Sequence, residues 1–504
     1  QRPDRTDPHT ASVAHGLSLV TLHSLRRYVC FLQELLADET RPFALSAEVS
    51  QWLGETAAAL HDVRETLDTQ PIDATARYEY LAKLGKAASR YRELVYQQES
   101  YSGTVDQPIG TVVELLDNVV AAIDHSISTN QLSDGLYHAY NLLNLGDGTA
   151  VCDTLYPMLE GQVAALSSGA IAPEQAIVLV ESLYESGIYR PDQHTFMLYP
   201  DRDLPRFLEK NRIPARQVHT IPLLLRLLAD GNKRVIVRDA DDCYRFSAEF
   251  RNVNDLNAAL DALPETYRRE VDTSRAALQD LYEQVFNHKA FTGRSGAMFG
   301  FEGLGSVYWH MVSKLLLAVQ ENFFAALDDG ARLKTRKRLG ELYYQIREGI
   351  GFNKSPAEYG AFPTDPYSHT PKHSGARQPG MTGQVKEEVL TRFRELGIRV
   401  RGGLAHFEPA LLRRQEFMTS SGELAYVDVD DNWQSIPLTT GTLAFTWCQV
   451  PVVYRLDDDA EPTLTIQYDA GSTRTLDNLA LPSEESSELF RRSGRIRQLS
   501  VTIN

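Results

Sequence analysis

LGIRVRGGLAHFEPALL, residues Leu396–Leu412, divides this chain into two kinds of sequence pattern. Before it, apolar residues recur at three- and four-residue spacings, which is typical of amphipathic helices. Within it, apolar and polar residues alternate around Gly402 and Gly403, and the segments that follow up to Asn504 have the pattern of β-strands. We therefore predict a mainly α-helical chain that ends in an antiparallel β-sandwich or sheet.

The periodicity also predicts where the elements and domains lie. Helices are expected at Val13–Ala37, Ser46–Thr66, Thr75–Gln98, Ile109–Ser128, Asp153–Leu166, Pro173–Ser186, Pro222–Leu228, Val253–Leu263, Glu265–Asn287, Tyr308–Leu327, Ala331–Ile350 and Val385–Glu395. A β-hairpin is expected from Arg234–Val237 and Cys243–Phe250. The predicted domains are a helical N-terminal part (1–130), a helical part with long loops (131–395) and a β domain (396–504).

The longest segment without helical or strand periodicity is Asn353–Glu388, NKSPAEYGAFPTDPYSHTPKHSGARQPGMTGQVKEE. Loops longer than about 15 residues are uncommon in compact domains unless they are functional or disordered. Disordered segments carry few aromatic residues, whereas this one combines aromatic rings, histidines and isolated carboxylates. We predict an ordered active-site loop rather than a solvated linker.

Three other loops have a similar polar, aromatic and glycine-rich content: Asp134–Gly148, Ile188–Arg202 and Phe291–Val307. Phe291–Val307, FTGRSGAMFGFEGLGSV, opens onto a predicted helix, whose free N–H groups suit an anion. It contains no GKS or GKT, and a helix rather than a strand precedes it. A nucleotide-binding P-loop or dinucleotide fingerprint is therefore not predicted, and glycines that allow close helix packing are the equally weighted alternative.

Charge and composition restrict the partners. The net charge of −16 gives no electrostatic footprint for nucleic acid or an anionic membrane, and no apolar run reaches the ~20 residues that span a bilayer. Cys30, Cys152, Cys243 and Cys448 form no CxxC pair, so we predict buried thiols in a reducing, cytoplasmic compartment. The N-terminus has no signal-peptide core, but the chain starts at Gln1, which leaves periplasmic or secreted locations open.

Helical pairs joined by long aromatic loops, followed by a β domain, resemble the (α/α) toroid glycoside hydrolases and phosphorylases. These are inverting families that include cellobiose and maltose phosphorylase. Gly403, Leu404, Phe407, Pro409 and Leu411–Leu412 resemble the G-x-L-x-F-x-P-x-L passage that opens their final β-sandwich. Pro379–Gln384, PGMTGQ, resembles their phosphate loop more loosely. FEGLGSVYWHMVSKLLLAVQE also resembles part of a bacterial family of larger proteins.

The resemblance implies a toroid-like helical domain and a final β-sandwich. No cofactor is predicted. These families usually place a large β-sandwich before the toroid, and we recognise none in this chain. Their catalytic acid is not identifiable here by motif.

Inverting cleavage needs a protonated carboxylic acid, and either a second carboxylate that activates water or a bound phosphate. The candidate catalytic acids are Glu358, Asp365 and Glu302. The candidate substrate-binding residues are Tyr189, Asp192, His194, Trp309, Tyr359, Tyr367 and His369. The candidate phosphate-binding residues are Arg294, His373, Arg377, Thr382 and Gln384. Most isolated carboxylates are merely solvated, so no single residue supports the prediction of a catalytic site. The prediction rests on the number of carboxylates, histidines and aromatic residues that lie together in Asn353–Glu388.

Three classes of function remain open. The first is a carbohydrate-active enzyme that hydrolyses or phosphorolyses a glycan, with inorganic phosphate as second substrate in the latter case. The second is a catalytically silent carbohydrate-binding or scaffold domain at the C-terminal end of a larger glycan-processing protein. A metal enzyme using His369, His373 and Asp365 is least favoured, because Pro371 separates the histidines and no HExxH occurs. No metal is therefore predicted, and the sequence does not predict an oligomeric state.

Overall fold

The computed structural model of the chain describes residues 16–97, 101–200, 205–287, 291–292, 298–299, 307–350, 369–370 and 383–504. The chain divides into two compact units. The first unit comprises Gln1–Val312 and Glu348–Pro379, and the second comprises Ser313–Arg347 and Gly380–Asn504. About half of the structure is helical, with several small antiparallel sheets and a five-stranded sheet near the C-terminus. The prediction of extensive helical structure with a β-sheet near the C-terminus is therefore confirmed.

The first unit contains most of the helices. They are α1 (Leu19–Leu36), α2 (Ala47–Leu67), α3 (Ala74–Gln97), α4 (Ile109–Thr129), α5 (Leu159–Ser167), α6 (Pro173–Glu185), α7 (Phe207–Lys210), α8 (Ala215–Thr220), α9 (Pro222–Ala229), α10 (Val253–Asp261) and α11 (Arg268–Phe286). Short 3₁₀ helices lie at Pro191–Gln193 and Glu265–Tyr267. The helix α12 (Trp309–Asp328) begins in this unit and continues into the second.

The strands of the first unit are short. They are β1 (Gly16–Ser18), β2 (Phe43–Ser46), β3 (Thr104–Gln107), β4 (Tyr140–Gly146), β5 (Thr149–Thr154), β6 (Tyr189–Arg190), β7 (Thr195–Phe196), β8 (Ile236–Arg238), β9 (Tyr244–Phe246), β10 (Phe291–Thr292), β11 (Met298–Phe299), β12 (Val307–Tyr308) and β13 (His369–Thr370). Three of them form a sheet in the order β1–β4–β5. The others form the antiparallel pairs β2–β3, β6–β7, β8–β9, β10–β11 and β12–β13.

The predicted helix at Asp153–Leu166 is wrong in its first half. Thr149–Thr154 instead forms β5, which pairs with β4 around a tight turn at Asp147 and Gly148, and α5 begins only at Leu159. Gly148 has φ +72°, a conformation that glycine adopts without steric cost. Asp-Gly between two β-forming runs is a strong hairpin signal, so the sequence contained the information for this turn.

A self-contained hydrophobic core lies within residues 213–286 of the first unit. Leu223, Leu224 and Leu227 of α9 pack in it with Leu278 and Tyr282 of α11. The β8–β9 hairpin contributes further buried residues, and its pairing of Ile236 with Phe246 confirms the hairpin predicted here. We call this cluster the 213–286 core.

The second unit adds α13 (Leu333–Glu348), α14 (Gly383–Glu395), α15 (Ser483–Arg491) and a 3₁₀ turn at Arg414–Glu416. Its strands are β14 (Ile398–Arg401), β15 (Leu404–Phe407), β16 (Gly422–Val427), β17 (Trp433–Leu438), β18 (Thr442–Trp447), β19 (Val450–Leu456), β20 (Thr463–Tyr468), β21 (Thr473–Leu476) and β22 (Ile496–Ile503). The pairs β14–β15 and β16–β17 are antiparallel. The five-stranded sheet has the order β18–β19–β22–β20–β21.

The prediction of a purely antiparallel sheet is wrong for one pair, since β19 and β22 run parallel. The last strand, β22, inserts between β19 and β20 and is antiparallel to β20. Because β19 and β20 run in opposite directions, any strand between them must be parallel to one of the two. The helix α15, which precedes β22, is absent from the predicted elements.

The stretch Leu396–Leu412 forms a hairpin whose backbone requires glycine. Gly402 and Gly403, at φ +55° and +78°, make the turn between β14 and β15. Gly397 has φ +76°, and a Cβ there would lie 2.3 Å from the backbone nitrogen of Pro409. The strand pattern predicted for this stretch is therefore confirmed, and Gly397 permits the close approach of Glu408 and Pro409.

The four cysteines are free thiols, and they are half-buried rather than buried as predicted. Within the described ranges, no helix is long and apolar enough to cross a membrane.

Candidate functional site

Strand pairing within the first unit brings together three of the loops predicted to carry function. The β6–β7 hairpin comes from Ile188–Arg202, β12 lies at the end of Phe291–Val307, and β13 lies within Asn353–Glu388. The strand β12 pairs with β13, with Val307 opposite Thr370 and Tyr308 opposite His369, and β7 contacts β12. We call this the three-loop junction.

A buried arginine defines the chemistry of the β6–β7 hairpin. Arg190 is only 6% exposed. Its Nε donates to Asp192 Oδ1 at 3.0 Å, and its Nη2 donates to Asp192 Oδ2 at 3.2 Å. The Asp192 side chain is 55% exposed, so the carboxylate of this ion pair is open to solvent whereas the guanidinium is not. The remaining terminal nitrogen, Nη1, is buried and has no hydrogen-bond partner among the described residues.

Thr195 lies directly opposite Arg190 across the hairpin. Directly opposed residues of an antiparallel pair project from the same face, with Cβ atoms about 4.5–5.5 Å apart. Thr195 is 1% exposed, and its Oγ1 also has no partner in the part of the chain that the structure describes. Buried polar groups in proteins are nearly always hydrogen-bonded, so two neighbouring exceptions mark this face as unusual.

The opposite face of the hairpin is aromatic. Tyr189 pairs with Phe196 across the strands, and their ring centroids are 5.4 Å apart. Tyr184 of α6 packs edge-on against both rings, with centroid distances of 4.9 Å. Tyr189, predicted to bind substrate, is thus half-buried in an aromatic cluster that fixes the hairpin.

The other predicted binding residues of this region occupy different environments. His194 is exposed and has a left-handed conformation, φ 49°, where it ends the 3₁₀ helix Pro191–Gln193. Trp309 is 1% exposed at the start of α12. Beside it, the Tyr308 hydroxyl and His310 Nδ1 are 3.1 Å apart and form a hydrogen bond.

A buried tyrosine–carboxylate pair lies elsewhere in the first unit. The hydroxyl of Tyr140, on β4, donates to Glu160 Oε2 at 2.7 Å. Burial, followed by the charge of Glu160, raises the pKa of Tyr140 far above its ordinary value. The phenol therefore stays a neutral donor, which suits a structural hydrogen bond.

The second unit contains a buried network of charged groups around Glu395. Tyr343 donates to Glu395 Oε1, Arg347 Nη1 lies 3.1 Å from the same oxygen, and Arg392 Nη1 donates to Oε2 at 2.7 Å. Glu388 Oε2 lies 3.5 Å from Arg347 Nη1. The pKa of Glu388 is raised, chiefly because the carboxyl is buried. The negative charge of Glu395 adds to this rise, and the positive charge of Arg347 partly offsets it. The sequence prediction included Glu388 only as the end of a loop.

Most of the predicted catalytic and phosphate-binding residues lie outside the described residues. These are the catalytic candidates Glu302, Glu358 and Asp365 and the phosphate-binding candidates Arg294, His373, Arg377 and Thr382. The substrate-binding candidates Tyr359 and Tyr367 also lie outside the described residues. The backbones of His369 and Gln384 are described, in β13 and α14, but their side chains are not. Within the described residues, no group of three or more histidine, cysteine or acidic side chains is arranged to hold a metal ion.

Sequence reasoning did not single out Thr195. The signal that was available is the sequence YRPDQHTF, in which Pro191–Gln193 forms the turn and places Thr195 opposite Arg190.

Part of the first unit resembles a domain of a known family. Residues 204–289 match the family model described as GH149 phosphorylase insertion domain 2. The matched segment contains the whole 213–286 core. A search of curated proteins found no match. The resemblance to glycoside phosphorylases that the sequence suggested is thereby confirmed for this segment.

Proposed function

We propose that this chain acts on a glycan as part of a carbohydrate-active enzyme that cleaves a glycosidic bond with inversion, by phosphorolysis. The match of residues 204–289 to an insertion domain of a glycoside phosphorylase carries this proposal. The sequence left hydrolysis and phosphorolysis open, and this match favours phosphorolysis, in which phosphate rather than water is the attacking group.

In this proposal, Glu358, Asp365 or Glu302 protonates the glycosidic oxygen while phosphate attacks the anomeric carbon from the opposite side of the ring. Arg294, His373, Arg377, Thr382 and Gln384 are the proposed phosphate-binding groups. Tyr189, Asp192, His194, Trp309, Tyr359, Tyr367 and His369 are the proposed sugar-binding groups. We further propose that the helices of 131–395 form a toroid-like domain and that 396–504 form a β-sandwich.

The three-loop junction supports a shared site. The pairing of β12 with β13 fixes the end of the glycine-rich loop beside the predicted active-site loop. The strand β7, which contacts β12, carries Thr195, and Arg190 lies opposite Thr195 on β6. Groups from distant parts of the chain that converge on one place are the usual architecture of an enzyme site.

A second function has its own supporting observation. The matched family is an insertion domain, which by itself carries no evidence of catalysis. A catalytically silent glycan-binding or scaffold part of a larger glycan-processing protein fits that match equally well.

The reverse reaction separates the two functions. The full chain is incubated with a panel of hexose 1-phosphates as donors and oligosaccharides as acceptors, and the released inorganic phosphate is measured. Phosphate release that requires the acceptor supports the phosphorylase. Glycan binding without release from any donor supports the silent domain instead.

A further inference from the structure

We propose that Arg190, Asp192 and Thr195 form a subsite for one neutral pyranose ring and that this subsite does not bind phosphate. The proposal rests on the proposed function only in taking a glycan as the ligand. It assigns a role to two residues, Arg190 and Thr195, that are not among the predicted site residues.

Unused hydrogen-bonding capacity on one face of the hairpin is the first observation. Arg190 Nη1 and Thr195 Oγ1 are both buried without a partner among the described residues, and their residues are directly opposed. A buried donor left unpaired has a substantial energetic cost, so each such group calls for an explanation, and a bound ligand is one.

Charge balance identifies the kind of oxygen. Asp192 already occupies the Nε and Nη2 edge of the guanidinium, one of its two edges that can bind a carboxylate or phosphate in two-point fashion. The Arg190–Asp192 pair has no net charge, so it offers little attraction to a phosphate dianion. A hydroxyl group fits better, because it accepts from Nη1 and donates to either Thr195 Oγ1 or the open carboxylate.

A ligand from solvent contacts Asp192 first, because its side chain is the exposed member of the three. Its side chain is 55% exposed, whereas Arg190 and Thr195 are shielded from solvent. A sugar that first bonds to the carboxylate reaches Nη1 only after neighbouring groups move aside. Association that needs such a rearrangement is slower than association with an open site.

The first test replaces the buried hydroxyl. Thr195→Val keeps the shape of the side chain and removes Oγ1. Calorimetry of the full chain with D-glucose, D-galactose and D-mannose, without phosphate, is expected to show about three- to ten-fold weaker binding of whichever pyranose the unaltered chain prefers. The melting temperature is expected to stay the same or rise, because an unpaired buried hydroxyl is replaced by a methyl group.

Thr442→Val is the matched control. Thr442 is also buried, but it lies in the second unit and its Oγ1 donates to the Thr439 carbonyl at 2.6 Å. Its replacement is expected to lower the melting temperature and to leave pyranose binding unchanged. A purely structural Thr195 would behave like this control.

The second test changes the charge. Asp192→Asn leaves the guanidinium without its counter-charge, so inorganic phosphate is expected to compete with pyranose binding in this variant and not in the unaltered chain. Competition by phosphate in the unaltered chain would overturn the assignment to a neutral sugar. Unchanged pyranose affinity in Thr195→Val, or no saturable binding of any of the three pyranoses, would overturn the subsite itself.

These measurements involve no turnover. The chain can produce sugar 1-phosphate without binding sugar at the β6–β7 hairpin. It can also bind sugar at the hairpin without producing sugar 1-phosphate. The binding measurements therefore test the subsite separately from the proposed phosphorylase activity.

Discussion

Tyr308 and His369 occupy directly opposed positions in the antiparallel pair β12–β13. Tyr308 follows the glycine-rich loop Phe291–Val307, and His369 belongs to the loop Asn353–Glu388. Two loops that the sequence singled out for the same mixture of glycine, aromatic and polar residues thus meet through backbone pairing. This pairing supports the proposal that groups from both loops contribute to one site.

The loop Asn353–Glu388 is expected to supply the catalytic acid. Glu358→Gln or Asp365→Asn should reduce turnover of a glycan by about 10²–10⁴-fold, because a general acid contributes that much to a rate. Circular dichroism should show an unchanged fold. Glu249→Gln, an exposed position in the matched insertion segment, serves as the control and should keep full activity. Unchanged rates in both loop variants would remove this loop from the mechanism.

Glu388 is expected to make the second unit less stable as the pH rises. Its pKa in the folded chain is raised, chiefly by burial, so folding favours the protonated form. The stabilisation is complete below the ordinary glutamate pKa of about 4.3, and it is lost as the pH rises through the higher pKa of the folded state. Amide hydrogen exchange of α14 measured across this range should therefore quicken more in the native chain than in Glu388→Gln, after correction for the intrinsic pH dependence.

Glu341→Gln, on the exposed surface of α13, should retain the pH dependence of the native chain. A Glu388→Gln variant with the same pH dependence as the native chain would show that Glu388 does not titrate in this way.

Gly397 and Gly402 are expected to differ in their tolerance of a side chain. Both have positive φ, so alanine at either position has a backbone cost of about 1 kcal/mol or more. Only at Gly397 would the Cβ meet backbone, with Pro409 N at 2.3 Å and the Glu408 carbonyl carbon at 2.4 Å. Gly397→Ala should therefore destabilise the chain by a further ~1–3 kcal/mol.

Urea denaturation of both variants measures this difference. Nothing lies within 4 Å of a Cβ built at Gly402, which makes Gly402→Ala the matched control. Equal losses of stability would contradict the close approach of Glu408 and Pro409 to Gly397.

The segment 204–289 is expected to fold when excised, because its core is drawn from its own residues. Within that fragment, Leu224→Ala should lower the free energy of unfolding by about 2–5 kcal/mol, since Leu224 is fully buried. Its neighbour Leu225 is 40% exposed, so Leu225→Ala should cost far less. A fragment without a cooperative unfolding transition would show that the segment depends on the rest of the chain.

Much of the helical structure could be predicted because it depends on local periodicity. The predicted helices that correspond to α2, α4, α6 and α9 agree with the structure to within one residue at each end. Each has a continuous amphipathic pattern, and α6 and α9 begin at proline.

Elements that depend on pairing partners were harder to predict. Only Asp153 and Thr154 of the strand β5 fall within the predicted helix Asp153–Leu166, where pairing with β4 outweighs the propensity of a short mixed sequence. The parallel pair β19–β22 depends on where the last strand enters the sheet, which periodicity does not encode.

The candidate site could also be predicted only in part from the sequence. Composition identified the loops that contribute β6–β7, β12 and β13, but it could not tell which residues within them are buried without partners. Thr195 is an ordinary threonine in the sequence and becomes a candidate only through its register opposite Arg190.

Phosphorolysis itself is the central claim, and ³¹P NMR of the full chain with a panel of disaccharides and oligosaccharides in phosphate buffer tests it most directly. The account predicts a new sugar 1-phosphate resonance that grows with time, is absent without glycan and disappears in the Glu358→Gln or Asp365→Asn variant. Release of free reducing sugar at the same rate with and without phosphate, and with no phosphate ester formed, would contradict it.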